Sequence, residues 1–379
     1  MNYDLKYVFG QFRSCGDFIE AAPYGSGHIN DTFLVTCKHA DSRIRYIIQR
    51  INHYVFKEPE KLMDNIYRIS VHLHKKFEEA GDPDISRRFL KIIPERSGKP
   101  YYRDIDGNYW RCYLFIEGAL GYEVLEDEEQ AFQAAGAFGE FLSLLTDLPG
   151  SRLNETIQDF HNTPLRFKKF KKIVEEDPFA RRAGVNEEID FFLSMENEAS
   201  RLIDLQEKGL IFERITHNDT KLNNILLDTE TKKATCVIDL DTSMPGLIPY
   251  DFGDMVRTFT SPAMEDEKDT SEVFMQMNIF KALTKGFLST TANFLTEVEK
   301  DNLVFGGKLI TCEVGLRFLT DYLEGDKYFK IKYDKHNLVR SRTQIALVRS
   351  IEKSEDKMKS FVNSEYNRII SGEIRAASS

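Results

Sequence analysis

Four polar residues close together in the chain, and a fifth one strand further on, could carry out phosphoryl transfer. They are His217, Asp219, Lys221 and Asn224 in the run His217-Asn-Asp219-Thr-Lys221-Leu-Asn-Asn224, and Asp239 at the end of Cys236-Val-Ile-Asp239. Moving a phosphoryl group onto a hydroxyl needs a carboxylate beside the attacking oxygen, side-chain oxygens on Mg²⁺, and positive charge near the transferring phosphate. Asp219 suits the base, Asn224 and Asp239 the metal, and Lys221 the phosphate. His217 reads as a brace of the loop. Alone, His-Asn-Asp would be an ordinary turn, because short polar side chains bond the local backbone. The apolar run Ile225 to Leu227 directly behind it, and a second apolar run ending in Asp239, predict a hairpin from which both metal ligands project.

The elements that must position these residues fall into two sets. Predicted strands at Asp17 to Tyr24, Asp31 to Lys38, Arg45 to Asn52, Phe89 to Glu95, Pro100 to Arg103 and Tyr109 to Glu117 surround one amphipathic helix, Glu58 to Phe77. In that helix Leu62, Ile66, Ile69 and Leu73 fall at helical spacing. Beyond Glu117-Gly118, read as a hinge, the pattern is helical: Glu128 to Leu145, Glu187 to Leu205, Val273 to Phe294, Leu303 to Leu323 and Asn337 to Tyr366. Between the first two lies a basic, aromatic connector, Asp159 to Lys172, read as a solvated face. The expectation is an α+β fold of two lobes, an antiparallel-sheet lobe over 1–117 and a mostly helical lobe over 118–379. The two would share one cleft for ATP.

Composition narrows the partners. With 379 residues and a formal net charge of -10, the chain does not suit nucleic acid or an anionic membrane. The five cysteines are scattered without a C-x-x-C pair, and neither an apolar leader nor an 18-residue apolar run occurs. These features predict a cytoplasmic enzyme, a monomer acting on ATP and a small molecule.

A glycine-containing loop, Gly25-Ser26-Gly27-His28-Ile-Asn-Asp31, sits between two predicted strands, where missing Cβ atoms let backbone N–H groups approach phosphate. It is not a Walker A loop, which would require G-x-x-x-x-G-K-S/T. The catalytic run has the skeleton of the protein-kinase H-R-D-x-x-x-x-N, followed by I-D-L-D where D-F-G would stand. The third strand of such kinases carries a phosphate-gripping lysine, yet here it reads Tyr46-Ile-Ile-Gln49-Arg50-Ile-Asn52. Strand alternation turns either Gln49 or Arg50 toward the nucleotide, not both; Arg50 would keep the charge and is preferred.

These motifs, with Pro249-Tyr-Asp251-Phe-Gly-Asp254, resemble the aminoglycoside phosphotransferase and choline-kinase-like superfamily, and within it the N-acetylhexosamine 1-kinases. The second resemblance runs through GSGHINDTF at 25–33, YIIQRIN at 46–52, HNDTKLNN at 217–224, VIDLDTSMPG at 237–246 and RFLTDYLEGDKYF at 317–329. It implies a kinase-like fold and Mg²⁺-dependent transfer of the ATP γ-phosphate to the anomeric hydroxyl of GlcNAc or GalNAc. By that resemblance Asp219 is the base, and His28, Arg317 and Tyr328 face the sugar. Gly25, Ser26, Gly27, Arg50 and Glu117 serve the nucleotide, and Asp254 braces the catalytic loop from below. The rival readings are an antibiotic kinase, a choline, homoserine or fructosamine kinase, and a non-catalytic nucleotide-binding regulator. The acidic runs Glu126 to Glu129 and Glu265 to Asp269, which an antibiotic kinase would use as a cleft rim, are read as solvated surface.

Overall fold

The computed structural model describes residues 3–25 and 29–372. The chain divides into two compact units. The first comprises Met1–Leu120, Leu144–Gln158 and Ile225–Pro245; the second comprises Gly121–Ser143, Asp159–Asn224 and Gly246–Ser379. The chain thus returns twice to the first unit after Leu120, the second time with the hairpin that ends in Asp239.

The first unit is built on a five-stranded antiparallel sheet. Strands β1 (Asp17–Pro23), β2 (Asp31–His39), β3 (Ser42–Ile51), β4 (Tyr102–Arg103) and β5 (Tyr109–Leu114) lie in the order β1-β2-β3-β5-β4. Alternation puts Val35, Cys37, Tyr46, Ile48, Trp110 and Cys112 on one face, where they bury against Val8 and Phe9 of the short helix α1 (Leu5–Phe9) and against Phe12. The register sets Gln49 directly opposite Arg111 and Arg50 opposite Trp110. Helix α2 (Pro59–Glu79) starts at a proline, whose missing N–H is no loss in a first turn. Its predicted stripe Leu62, Ile66, Ile69 and Leu73 is buried, with Phe77 continuing it. The strand expected over Phe89 to Glu95 does not form: Ile92 bridges Tyr113 and Glu95 bridges Phe12 as isolated pairs. Pro94 has no N–H to extend a ladder there. Strands β6 (Ala119–Gly121), β8 (Ile225–Asp228) and β9 (Ala234–Val237) make a small separate sheet, with β8 and β9 as the predicted hairpin.

The second unit holds strand β7 (Arg214–Thr216) and helices α3 (Glu128–Leu144), α4 (Thr163–Glu176), α5 (Asn186–Met195), α6 (Arg201–Glu207), α7 (Ile248–Phe259), α8 (Met277–Thr291), α9 (Glu297–Asp301), α10 (Leu303–Leu323) and α11 (His336–Ile370). The basic connector folds as α4, with Pro164 in its first turn and the Asn162 side chain capping the Leu165 N–H at 3.2 Å. Its apolar residues Phe167, Phe170 and Ile173 bury, while its lysines stay on the outer face. The single helix expected over Glu187 to Leu205 is interrupted by a 3₁₀ turn at Glu196–Glu198. The axis of the unit is α10, which is buried along nearly its whole length. It crosses α7 at glycines: a Cβ on Gly306 would lie 2.0 Å from the Pro249 carbonyl oxygen, and one on Gly253 would lie 2.4 Å from that of Gly306. Two helix backbones therefore touch where α7 begins.

Candidate active site

Strand β7 delivers the chain into the predicted catalytic loop. Asn218 adopts φ +63°, a left-handed turn that asparagine tolerates better than most residues. Asp251, one turn into α7 and fully buried, accepts the backbone N–H groups of His217 and Asn218, both at 2.7 Å. The Asp251 carbonyl accepts the Thr220 hydroxyl at 2.6 Å. Burial pushes the Asp251 carboxyl up to about 7 despite those two donors. The His217 ring is buried edge-on to Phe138 and Phe141. Asp254, the expected brace, is instead paired with Arg257 at 2.8 Å. Both aspartates lie on one side of α7, but it is Asp251 that meets the loop.

Within that loop the Lys221 ammonium lies 2.9 Å from the Asp219 carboxylate. Asn224 donates its amide to the Asp219 carbonyl at 2.8 Å and to its carboxylate at 3.1 Å. Burial works to raise the Asp219 carboxyl, but Lys221, His217 and Asn224 outweigh it and hold it below its ordinary value. Asp219 is therefore anionic at neutral pH, able to orient a hydroxyl and to take its proton late in transfer. Because Asn224 turns its NH₂ onto Asp219, its carbonyl oxygen is the atom left to face a cation. Among the described residues no cluster of three or more His, Cys, Asp or Glu could hold a metal. Mg²⁺ needs none, since it keeps several waters and binds through one or two side chains plus substrate phosphates.

In the first unit, Asp239 follows β9 in a left-handed conformation, φ +57°, and opens a 3₁₀ turn over Leu240–Thr242. That turn carries a second aspartate, Asp241, which the sequence reading assigned no role. Asp241 forms an ion pair with Arg111, both side chains being almost wholly buried. Arg111 also donates to the Gln49 side-chain oxygen at 2.8 Å, and Gln49 donates to Thr32 at 2.9 Å. Asn30, from the predicted phosphate loop, donates to the other Asp241 oxygen at 2.7 Å, while its own oxygen accepts the Asn52 N–H at 2.9 Å. Gln49 is thus the β3 residue on this face. Arg50 is turned to the opposite face, where it pairs with Asp31 at 2.7 Å and lies over the Tyr3 ring. The reason is the pleat: neighbours on a strand cannot share a face. Asn65 of α2, fully buried, ties this region down by donating to the Ser243 and Asn154 carbonyls at 3.1 and 2.8 Å. Gly25 has φ +78°, and a Cβ there would meet none of the described residues within 4 Å; Ser26, Gly27 and His28 lie outside the described residues. Glu117 is exposed and engaged with Arg45.

Two further features belong to the second unit. Arg317 of α10 is half-buried among the rings of Phe160, Tyr328 and Phe329, at 5.8, 5.8 and 5.5 Å from their centroids. One turn earlier Glu313, with no exposed surface, accepts the Thr163 hydroxyl at 2.6 Å and meets His161 at 3.1 Å. Burial raises the Glu313 carboxyl, but His161, Arg166 and Arg317 prevail and hold it at about 2. The His161 ring in turn stacks 4.8 Å from Tyr250, beside the bracing Asp251. Separately, a cavity of about 810 Å³ is lined by Lys221 and Asn223 of the catalytic loop, by Gln344, and by Glu126, Asp127, Glu128, Glu129 and Glu265. Of the acidic runs read as solvated surface, Glu126 to Glu129 lie together on its wall, and of the second run only Glu265 reaches it.

Residues 20–270 match the sequence pattern of the phosphotransferase enzyme family typified by aminoglycoside phosphotransferases. The chain belongs to this family. Solved structures show the same fold at low identity. An aminoglycoside phosphotransferase from Alicyclobacillus acidocaldarius superposes with a TM-score of 0.55 and 13% identity, covering 98% of each chain. A choline kinase from Cryptosporidium parvum gives 0.53 and 15%, covering 92% of this chain and 93% of its own. A spectinomycin phosphotransferase in complex with ADP and spectinomycin gives 0.52 and 13%, covering 89% and 94%. As in these relatives, the phosphotransferase chain has a kinase-like fold with a sheet-based unit and a helical one. No described helix is long and apolar enough to cross a membrane.

Proposed function

We propose that this phosphotransferase moves the ATP γ-phosphate onto the anomeric hydroxyl of an N-acetylhexosamine, GlcNAc or GalNAc. The observation that carries the kinase chemistry is the braced loop: Asp219 held anionic beside Lys221 and Asn224, on a backbone pinned by Asp251. Asp219 orients the acceptor hydroxyl and takes its proton, and Lys221 meets the charge spreading over the transferring phosphate. Bound Mg²⁺, with Asn224 and Asp239 as its side-chain ligands, would neutralise phosphate charge. Positioning and electrostatics supply the acceleration, with no covalent intermediate. The acetamido-sugar reading is supported by Arg317, whose guanidinium makes no hydrogen bond or ion pair with the described residues and lies over the Phe160 and Tyr328 rings at 5.8 Å from each centroid. Such a fork of donors suits sugar hydroxyls and an acetamido carbonyl, and the exposed Tyr328 ring suits the apolar face of a pyranose.

One observation favours a second reading. Six carboxylates line the cavity beside Lys221; Glu265 among them is paired with Arg257 and Arg340, while the Lys221 and Arg257 cations of the lining are already paired with Asp219 and Asp254. That wall suits an acceptor bearing ammonium groups. A single assay separates the two: ATP consumption with Mg²⁺ across GlcNAc, GalNAc, glucose, galactose, kanamycin, choline and homoserine, with phosphate position read by ³¹P NMR. A sugar 1-phosphate from the acetamido sugars alone supports the first reading, and turnover confined to the amines replaces it with the second. Asp219→Asn is expected to bind Mg·ATP normally while losing turnover by at least about 10³-fold, in the range for a positioned base. Wild-type turnover in that variant would refute the assigned role.

A further inference from the structure

The β3 strand of this phosphotransferase has no lysine, and its arginine is turned away, so the sheet face that holds Gln49 needs another source of positive charge. Among the described residues of that unit, Arg111 stands directly across the strand pair from Gln49 and is bonded to it. Its guanidinium is also the group that meets Asp241, two residues after the proposed metal ligand Asp239. Asp241 is in turn held by Asn30 of the phosphate loop. Glycine loop, β5 and the Asp239–Asp241 turn are thereby joined through one carboxylate. Arg111 is 1% exposed, which excludes a hand-over of its charge to solvent and makes Asp241 its fixed partner.

We propose that Arg111 is a positioning residue for nucleotide binding: from β5 it takes the place of the β3 lysine, and through Asp241 it holds Asn30 and the turn that carries Asp239 in register. Two physical points support this. Asp239 and Asp241 put two carboxylates within three residues, and the Arg111 guanidinium, paired with Asp241 and also feeling the Asp239 charge, offsets their mutual repulsion. A guanidinium, always charged and with five donors in a fixed fork, can serve Asp241 and Gln49 at once, which a lysine on β3 facing phosphate could not do. The inference rests on the kinase reading above.

The test measures binding of Mg²⁺ with a non-hydrolysable ATP analogue by calorimetry, alongside acceptor binding, in the wild type, Arg111→Gln, Arg111→Lys and the relocated-charge pair Gln49→Lys/Arg111→Gln. Arg111→Gln is expected to weaken the nucleotide by tenfold or more and leave acceptor affinity within twofold. The pair, with a lysine on the opposite strand position, is expected to recover most of that loss. Arg111→Gln strands a buried carboxylate; where that variant does not fold, the relocated-charge pair, which keeps the charge balance, decides alone. A folded pair that binds nucleotide no better than Arg111→Gln, or fails to bind it where the single variant does not fold, would overturn the proposal. So would a folded Arg111→Gln with wild-type nucleotide affinity, or an equal loss in Arg50→Gln. If the wild type itself binds no Mg·nucleotide, the kinase reading fails first.

Discussion

Gly306→Ala tests whether the helix crossing beneath the catalytic loop matters to chemistry. An alanine Cβ at this position would sit 2.0 Å from the Pro249 carbonyl oxygen, and the next atoms it meets are also backbone, or the Pro249 ring. No side chain can swing aside, so α7 and α10 must separate by roughly 1 Å or more to restore an ordinary contact near 3.5 Å. Forcing extra carbon into a packed core costs about 1–3 kcal/mol, and the rigid obstacle argues for the upper end. Replacing glycine inside a helix returns about 1 kcal/mol. The net expectation is a loss of about 2 kcal/mol, or ~4–8 °C in Tm for a unit of this size. Gly184→Ala, where a Cβ meets nothing within 4 Å, is the comparison. Function should suffer more than stability. Pro249 lies two residues before Asp251, whose 2.7 Å bonds to the His217 and Asn218 N–H groups would open beyond hydrogen-bonding reach under a 1 Å shift. Misplacing a catalytic group by that distance costs about 10²-fold in rate. The assay is thermal unfolding followed by kcat at a temperature where both variants are folded. A Gly306→Ala chain as stable as wild type would refute the packing argument, and one destabilised yet fully active would refute the link from α7 to the loop.

Two titrating carboxyls make further predictions of opposite sign. Asp251, at about 7 in the folded chain against an ordinary value of 3.8, contributes stability that is fully present below pH ~4 and lost as pH rises through 7. Urea unfolding from pH 5 to 8 should therefore show wild type losing up to about 3 kcal/mol relative to Asp251→Asn. Parallel profiles would show that the carboxyl is not perturbed. Glu313, at about 2 against 4.5, contributes up to about 3 kcal/mol above pH 5 that drains away as pH falls toward 2. Wild type and Glu313→Gln should converge in urea midpoint between pH 6 and pH 3, and a constant gap would contradict the reading.

What the sequence disclosed follows from how local each feature is. The turn at 217–224 and the β8–β9 hairpin were legible because their residues fall within a few positions of one another, between apolar runs whose length suits strands. The α2 stripe was legible by its period. Asp251 and Asp254 are a different case: three apart on α7, they share a side of the helix, and the spacing cannot say which one faces a loop more than thirty residues away. Gly253 and Gly306 look like propensity defects in a helix and turn out to be a backbone contact between two segments fifty residues apart in the chain. Phe89 to Glu95 has the apolar content of a strand, but Pro94 leaves it as isolated bridges. The run Glu126 to Glu129 follows the same rule, since charge in sequence says nothing of the curvature of the surface that carries it.

Arg111 shows most clearly why reading one strand at a time misleads. Alternation along β3 correctly restricts the choice to Gln49 or Arg50, but the preference for Arg50 assumed that the charge had to come from that strand. In a sheet, the nearest neighbour of a side chain is the one across the ladder, about 4.5–5.5 Å away, closer than the next residue on its own strand that shares its face. Position 111 is such a neighbour of position 49. A charge can therefore pass from one strand to the next while staying on the same face, provided that something uncharged and hydrogen-bonding fills the vacated position. Gln49 does this, accepting from Arg111 and donating to Thr32. Gln49 and Arg111 are two halves of one hydrogen-bonded arrangement, and only the register between their strands makes it visible.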